Sequence, residues 1–308
     1  MKALITGAAG FLGSALGTAL IEEGHEVIGI DDLSTGRLDE VHPDLVFTTG
    51  DIMDRPTLWG LLQDVECVFH LAARVAVQES VLYPREYNSI NVGGTVSLME
   101  AMRDVGVKRV VFTSSGAVYG SQKEQPLKER MRPAPDSPYA VSKLAAEYYV
   151  KTIGALWGIE TVTLRIFNAF GPGQRIPSAH PPVIANFLKQ AVEEGTLVIH
   201  NSGNQSRDYV YVGDVVQALI SASSASDVNG EVINVGSGKE VSVIELADRI
   251  LELTGAKAEV IHNPNAKGGV KHMRADLNKA YKLLKYQPRV SLRQGLKQTL
   301  DTDPRYQV

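Results

Sequence analysis

The chain has 308 residues, 44% of them hydrophobic, with 31 basic and 35 acidic side chains and a net charge of −4. This length is ample for one large domain or a domain with a lobe. The near balance of charge advertises no polyanion-binding surface, so no nucleic-acid partner is expected.

One cysteine, Cys67, excludes an intrachain disulfide and a cysteine-built metal site, and the seven histidines show no ligand spacing, so no metal is expected. No apolar run approaches the about 20 residues that span a bilayer, and no membrane association is expected. The chain opens at once on a strand, so no leader is expected and the cytoplasm is the expected compartment.

Lys2-Ala3-Leu4-Ile5-Thr6 reads as a short apolar strand running into Gly7, Gly10 and Gly13. From Phe11 and Leu12 an apolar helical pattern follows. Strand, glycine turn, helix is the context of a dinucleotide site: Gly7 allows the turn, Gly10 lets backbone approach a pyrophosphate, and Gly13 lets helix pack on strand. The helix start then offers amide groups and a positive dipole end to phosphates. The spacing is G-x-x-G-x-x-G.

The second strand, Glu26 to Ile30, ends in Asp31-Asp32. A carboxylate there accepts from the adenosine ribose hydroxyls and repels a 2′-phosphate, so NAD is expected over NADP. Arg37 lies within reach of a phosphate as a counter-indication.

Strands are expected near 2–6, 26–30, 45–48, 67–71, 108–113 and 160–166, and helices near 11–23, 55–63, 84–104 and 138–157. The alternation predicts an α/β fold, a Rossmann-type doubly wound parallel sheet with helices on both faces. Cys67 falls in a strand as an inert residue. Past residue 171 the regularity breaks, with a Pro- and Gly-rich stretch over 171–182 and a helix near 183–194. The expected division is 1–170 as the cofactor domain, with some later segments returning to it, and 171–308 mainly as a smaller C-terminal α/β substrate-binding lobe.

Tyr139 and Lys143 are four apart, on one face of a predicted helix. A lysine ammonium near the phenol favours the phenolate, bringing the Tyr pKa below its free value of about 10. The pair is then a base for a hydroxyl proton near neutral pH. Upstream lie Ser114 and Ser115 at the end of a strand.

Read together, these segments resemble the extended short-chain dehydrogenase/reductase family in its nucleotide-sugar branch. Thr6-Gly7 to Gly13, Asp31-Asp32-Leu33-Ser34-Thr35-Gly36, Gly50-Asp51-Ile52 and His70-Leu71-Ala72-Ala73 carry the likeness. So do Asn91-Val92-Gly93-Gly94-Thr95, Thr113 to Gly120, Tyr139 with Lys143, and Leu164-Arg165 with Asn168 and Gly171-Pro172. Arg207-Asp208-Tyr209 with Asp214, and Asn234-Val235-Gly236, complete it. The pattern is most like the UDP-glucose 4-epimerases and related UDP-hexose 4-epimerases.

The resemblance implies a role for each matching position. Ser115, Tyr139 and Lys143 would be catalytic, with Ser115 bonding the sugar 4-hydroxyl, Tyr139 as base, and Lys143 lowering the Tyr pKa and holding the nicotinamide ribose. Gly7, Gly10, Phe11, Leu12, Gly13, Asp31, Asp32, Ser34, Thr35 and Gly36 would hold NAD. Asp51 and Ile52 would lie beside the adenine, and Leu71, Ala72, Ala73, Arg74, Asn91 and Ser114 would line the cofactor floor. Arg74 reads either as a ribose contact or as a solvated arginine.

Toward the substrate, a UDP-hexose, the resemblance implies Ser80, Ser115, Gly116, Tyr139, Asn168, Arg207, Lys271, Met273 and Arg274. Ser80 and Asn91 read equally as ligand contacts or as local caps. Tyr119, Tyr148 and Tyr149 read as packing residues.

Branches of this family share an oxidation at C4 and diverge afterwards. The dehydratases carry an Asp-Glu pair after the hydroxyl residue and the decarboxylases a Glu at the second position; here these are Gly116 and Ala117. A UDP-glucuronate 4-epimerase stays open, with Thr113, Ser114 and Arg175 as carboxylate donors, as does a catalytically idle NAD-binding regulator. The relatives' R-x-G-D loop reads Ala266-Lys267-Gly268-Gly269 here, with Lys267, Lys271, His272 and Arg274 as replacement cations. Relatives usually form homodimers through two helices per subunit, here near 87–104 and 139–155.

Overall fold

The computed structural model describes residues 1–177, 179–193, 195–263 and 270–307. Its centre is a seven-stranded, all-parallel sheet in the order β3-β2-β1-β4-β5-β6-β11. The strands are β1 (Lys2–Thr6), β2 (Glu26–Asp31), β3 (Val46–Thr49), β4 (Cys67–His70), β5 (Arg109–Ser115), β6 (Glu160–Ile166) and β11 (Glu231–Val235). The strand order reverses between β1 and β4, and in open sheets the crevice at such a switch takes the ligand.

Side-chain alternation along β1 explains why helices cover both faces. Ala3 and Ile5 point into one core with Leu16 and Leu20 of α1 (Phe11–Glu22) and Val215 and Leu219 of α8 (Val212–Ser224). Leu4 points into the other, against Leu58 of α2 (Arg55–Leu61), Leu98 and Met102 of α5 (Thr95–Val105), and Val150 of α6 (Pro138–Trp157). The period-two strand thus feeds two apolar layers.

Local signals set the ends of α6. Ser137 Oγ accepts from Ala140 N at 3.2 Å, Pro138 takes the first helical position, and Gly158 closes the helix at φ 68°. These are a side-chain N-cap, a proline where no amide is needed, and a left-handed C-cap. The helix spans the residues expected for it.

The helix expected over 84–104 is present without a break, but it is not α-helical throughout. After α3 (Val77–Leu82) come α4 (Pro84–Asn88), a π-helical stretch at Ser89–Gly94, and only then α5. The wider turn carries Asn91, whose backbone oxygen accepts from Thr95 Oγ1 at 2.6 Å. Such bulges interrupt the regular ladder where a side chain must be re-aimed.

A third core belongs to the C-terminal half. It gathers Phe187 and Leu188 of α7 (Val183–Val192), Ile199 of β8 (Leu197–His200), Leu246 and Ile250 of α9 (Val243–Thr254), and Leu296 of α11 (Leu292–Thr302). Short two-stranded pairings frame it. β7 (Asn168–Phe170) lies parallel to β10 (Tyr209–Tyr211), and β8 lies parallel to β13 (Val260–Asn263). β9 (Ser206–Arg207) lies antiparallel to β12 (Val241–Ser242). α10 (Asn278–Leu284) returns to the first core through Ala280 and Leu284. Among the described residues no helix is long and apolar enough to cross a membrane.

Candidate active site

The glycine turn is shaped by close approach. Gly7 holds φ 74°, and a Cβ there would meet Ala72 N at 2.7 Å; at Gly13 it would meet Gly7 O at 2.0 Å. At Gly10 the sole neighbour would be Gly7 O, at 3.2 Å, so its outer side is open. α1 starts at Gly10 with no side-chain cap, leaving its first amides without intrahelical partners. An open glycine face over free amides fits a dinucleotide pyrophosphate.

Asp31 borders that turn. Its carboxylate accepts from Ala9 N at 3.0 Å and Leu33 N at 2.8 Å, and burial, with Asp32 beside it, raises its pKa. Asp32 is tied to Ser34 N and Oγ. Gly36 lies so close that a Cβ would sit 2.7 Å from the Ala9 Cβ, and Arg175 donates to Thr35 O. Arg37 is exposed and paired with Asp39, so it leaves the negative end of β2 unopposed. Ile52 is buried, and Asp51 accepts from Met53 N.

The floor at β4 rests on a buried polar relay. Thr6 Oγ1 lies 2.7 Å from His70 Nδ1, and His70 Nε2 lies 2.9 Å from Thr95 Oγ1. Because Thr95 donates to Asn91 O and Thr6 accepts from Ala72 N, the pattern closes with a neutral imidazole protonated on Nε2. Burial, then the Lys143 charge, push His70 down to about 3.

His70 therefore ties stability to pH. The unfolded ring takes a proton below about 6.5, which the folded ring refuses until about 3. This contribution is present above 6.5 and is lost as pH falls through that window, by up to about 1.4 kcal/mol per unit. Urea unfolding at pH 7.5 and pH 5 should show a smaller acid loss in His70→Gln than in the parent; equal losses would remove the assignment.

Asn91 answers the choice left open by its sequence. Its Oδ1 accepts from Arg74 N at 2.8 Å, and its Nδ2 donates to Arg74 O and to Ser142 Oγ. It fixes the loop after β4 as a local clamp. Ser80 is fully buried and donates to Val77 O, so its hydroxyl serves its own helix. Arg74 faces Glu79 and Glu86 at 3.4 and 3.5 Å. Leu71, Ala72 and Ala73 stay half-buried along the floor.

At the end of β5, Ser115 Oγ accepts from Ala117 N at 3.1 Å. Tyr139 is buried beside it. Burial raises the phenol pKa and the Ser115 hydrogen bond lowers it. Lys143 follows Tyr139 by four residues on α6. The ammonium lies over the Phe112 ring, 4.5 Å from its centroid, and burial pushes it down to about 7 against the opposing pull of Glu147. One helical turn separates the side chains along the face they share.

Ser114 turns the other way from Ser115. Its hydroxyl donates to Glu147, which is paired with Arg165, both side chains being 5% exposed. Thr113 Oγ1 donates to His70 O at 3.0 Å. Tyr119 packs as expected, with its hydroxyl on Asn234 Oδ1. Tyr148 and Tyr149 do not: they are 59% and 47% exposed on the outer face of α6.

The opposite wall carries a feature to which the sequence reading gave no role. Asp208, fully buried, accepts from Ser237 N and Oγ, Gly238 N and Ala275 N at 2.6–3.0 Å. Ser206 N also donates to Lys271 O, so the 271–275 segment runs alongside Arg207. Asn168, exposed, pairs in register with Tyr209. These backbone pairings place Asn168, Arg207, Lys271 and Arg274 on neighbouring segments.

Arg207 Nη1 donates to Ser206 O at 2.7 Å, it forms no ion pair among the described residues, and burial lowers its pKa. Arg274 Nε and the Tyr209 hydroxyl are buried without hydrogen-bond partners. A cation and donors left this way suit an anionic ligand. Met273 is buried with Val118, Tyr119 and Phe167, and a Cβ on Gly116 would touch the Phe167 ring at 3.3 Å. Lys271 is exposed. Ala266, Lys267, Gly268 and Gly269 lie outside the described residues.

A glycine cradle at the switch point, an acid on the neighbouring strand and a tyrosine–serine contact at the next strand end define a dinucleotide-dependent enzyme acting on a hydroxyl. Residues 3–236 match the NAD dependent epimerase/dehydratase family, and the chain belongs to it, as an isomerase of the epimerase kind with NAD as cofactor. It is 39% identical to the UDP-glucose 4-epimerase of Mycolicibacterium smegmatis, over 98% of each chain. The crystal structure of UDP-glucose 4-epimerase with UDP-glucose from Thermotoga maritima aligns with a TM-score of 0.94, 35% identity and 98% coverage of both chains. The UDP-glucuronic acid 4-epimerase from Bacillus cereus, in complex with UDP-glucuronic acid and NAD, aligns with a TM-score of 0.89, 33% identity and 98% coverage of both chains.

Proposed function

We propose that the protein interconverts UDP-hexoses differing at C4, of the UDP-glucose/UDP-galactose kind, through a transient 4-keto sugar. Tyr139 takes the 4-hydroxyl proton, Ser115 orients that hydroxyl, and Lys143 supplies positive charge from the next turn of α6. The chemistry that NAD supplies when bound is reversible hydride exchange with the sugar carbon. Arg207, Asn168 and Arg274 hold the diphosphate while the keto sugar turns about it, and Tyr139 then returns the proton.

The observation that carries this reading is the wall beyond Ser115. Gly116 lies against Phe167, and Ala117 offers its amide to Ser115, so no side chain there removes water or carbon dioxide from the keto sugar. A uronate substrate is disfavoured by the same geometry: Thr113 and Ser114 spend their hydroxyls on His70 and Glu147. Arg175 is engaged at Thr35, on the cofactor side.

Chromatography of UDP-galactose, UDP-N-acetylgalactosamine and UDP-galacturonate incubations, with no cofactor added, tests the assignment. UDP-glucose is expected as the fastest-formed product, with no lasting absorbance at 340 nm. Exclusive turnover of the uronate would overturn it, and bound NAD with no turnover of any sugar would favour an idle regulator.

We also propose a homodimer. Val141, Tyr148 and Tyr149 on α6, with Val81 and Leu82 on α3, are 47–70% exposed, and an apolar stripe of this kind suits a second copy of the chain. Light scattering should return twice the 33.4 kDa chain mass for the parent and the single mass for Tyr148→Glu/Tyr149→Glu. A monomeric parent would refute the proposal.

A further inference from the structure

Behind Ser115, Tyr139 and Lys143 lies a buried charged cluster to which the reaction above gives no task. Glu147 follows Lys143 by one helical turn on α6, so the two share a face. It accepts from Arg165 Nε at 2.9 Å and Nη2 at 2.7 Å, and from the Ser114 hydroxyl. Ser114 and Arg165 are register partners on β5 and β6. All four side chains are buried, and the carboxylate paired with Arg165 shares its helix face with Lys143. A buried pair is a weak source of stability, because desolvation offsets much of its attraction. Its presence asks for another reason.

We propose that Glu147 is a positioning residue for the reaction: clamped by Arg165 and Ser114, its carboxylate favours the ammonium form of Lys143, so that a phenolate on Tyr139 has a cation beside it. The inference rests on the epimerase reading, in which Tyr139 and Lys143 serve one proton transfer. Lys143 is faced from its own helix by Tyr139 and Glu147, from β5 by the Phe112 ring, and from β4 by the neutral His70. Arg165 on β6 stands beyond Glu147.

Of these groups Glu147 is the one that opposes loss of the lysine proton. With Tyr139 ionised, the phenolate, Lys143, Glu147 and Arg165 sum to zero charge. Without Glu147, two buried cations share a single anion, and Lys143 is the one able to shed a proton. The Ser114 bond also fixes the strand end from which Ser115, pointing to the opposite face, reaches Tyr139.

The test is the pH dependence of kcat, from pH 6 to 9.5, on whichever UDP-hexose of the panel turns over fastest. Glu147→Gln and the double variant Glu147→Leu/Arg165→Met are compared with the parent. The double variant removes both charges and is expected to fold even where the single one does not. The basic limb should move to lower pH by on the order of one unit and kcat at pH 8 should fall about 10-fold, with KM changing less than kcat. A folded double variant with the parent's kcat and an unmoved basic limb overturns the proposal. Lys143→Met separates the two readings. If it keeps full activity, the Tyr139–Lys143 assignment fails and this inference with it. If it is inactive while both Glu147 variants behave as the parent, the inference alone fails.

Discussion

Tyr139→Phe should lower turnover by about 10²–10⁴-fold, the usual contribution of a positioned acid–base group, with the melting temperature nearly unchanged. The substitution deletes one hydroxyl whose neighbour is Ser115. The ring keeps its place, edge-on to Tyr87 with centroids 6.4 Å apart. Lys143→Met should be comparably inactive yet no less stable. Its folded-state pKa lies near 7, below the ordinary value of 10.5. The folded chain therefore releases a proton that the unfolded one keeps. The charge costs stability below about pH 7, and that cost fades as pH rises toward 10.5. Steady-state assays with thermal melts at pH 7 check both variants. Near-parental activity of Tyr139→Phe would remove the proton-transfer mechanism.

Asp208→Ala should be the most damaging substitution outside the acid–base set. Four donors converge on its carboxylate, and hydrogen bonds to a charged group are each worth about 1.5–3 kcal/mol without being additive. A loss of at least about 3 kcal/mol is expected, which lowers the Tm by on the order of 10 °C. The donors left behind anchor Gly238 and Ala275, so the segment carrying Met273 and Arg274 loses its seat. Among molecules that remain folded, KM should rise more than kcat falls. Denaturant titration and initial rates below the melting range check this. A stable variant with unaltered KM would mean that the segment is held elsewhere.

The first strand, the glycine turn and α6 were legible because their signals are local. Gly7, Gly10 and Gly13 mark places where no side chain fits, and Ser137, Pro138 and Gly158 punctuate a helix within a few residues of its ends. Ser115, Tyr139 and Lys143 were legible as residue types, but not the electrostatics between them. Shared helical face placed Lys143 beside the phenol, whereas the burial that raises Tyr139 and lowers Lys143 has no signature in the spacing.

Asp208 stood in a motif without a role of its own, and Glu147 carried no local signature. What marks them is the convergence of donors from distant segments, such as Ser237 and Ala275 on Asp208, and that is fixed by the tertiary fold alone. β11 eluded the strand pattern because it is recruited by the open edge of β6, through register from Glu231–Val162 to Val235–Ile166. The same applies to the π-helical turn, set by the clamp that Asn91 makes on Arg74.

That late strand also bears on the mechanics of the molecule. After β6 the chain leaves for β7 and α7, returns with α8 and β11, departs again for α9, comes back with α10, and leaves once more for α11. The two regions are sewn together by several passes of backbone. A door hung on one strand swings freely; a panel stitched along its edge can only slide or flex. Several passes of backbone resist rotation about a single hinge, and no single cut of the described chain releases one region intact from the other.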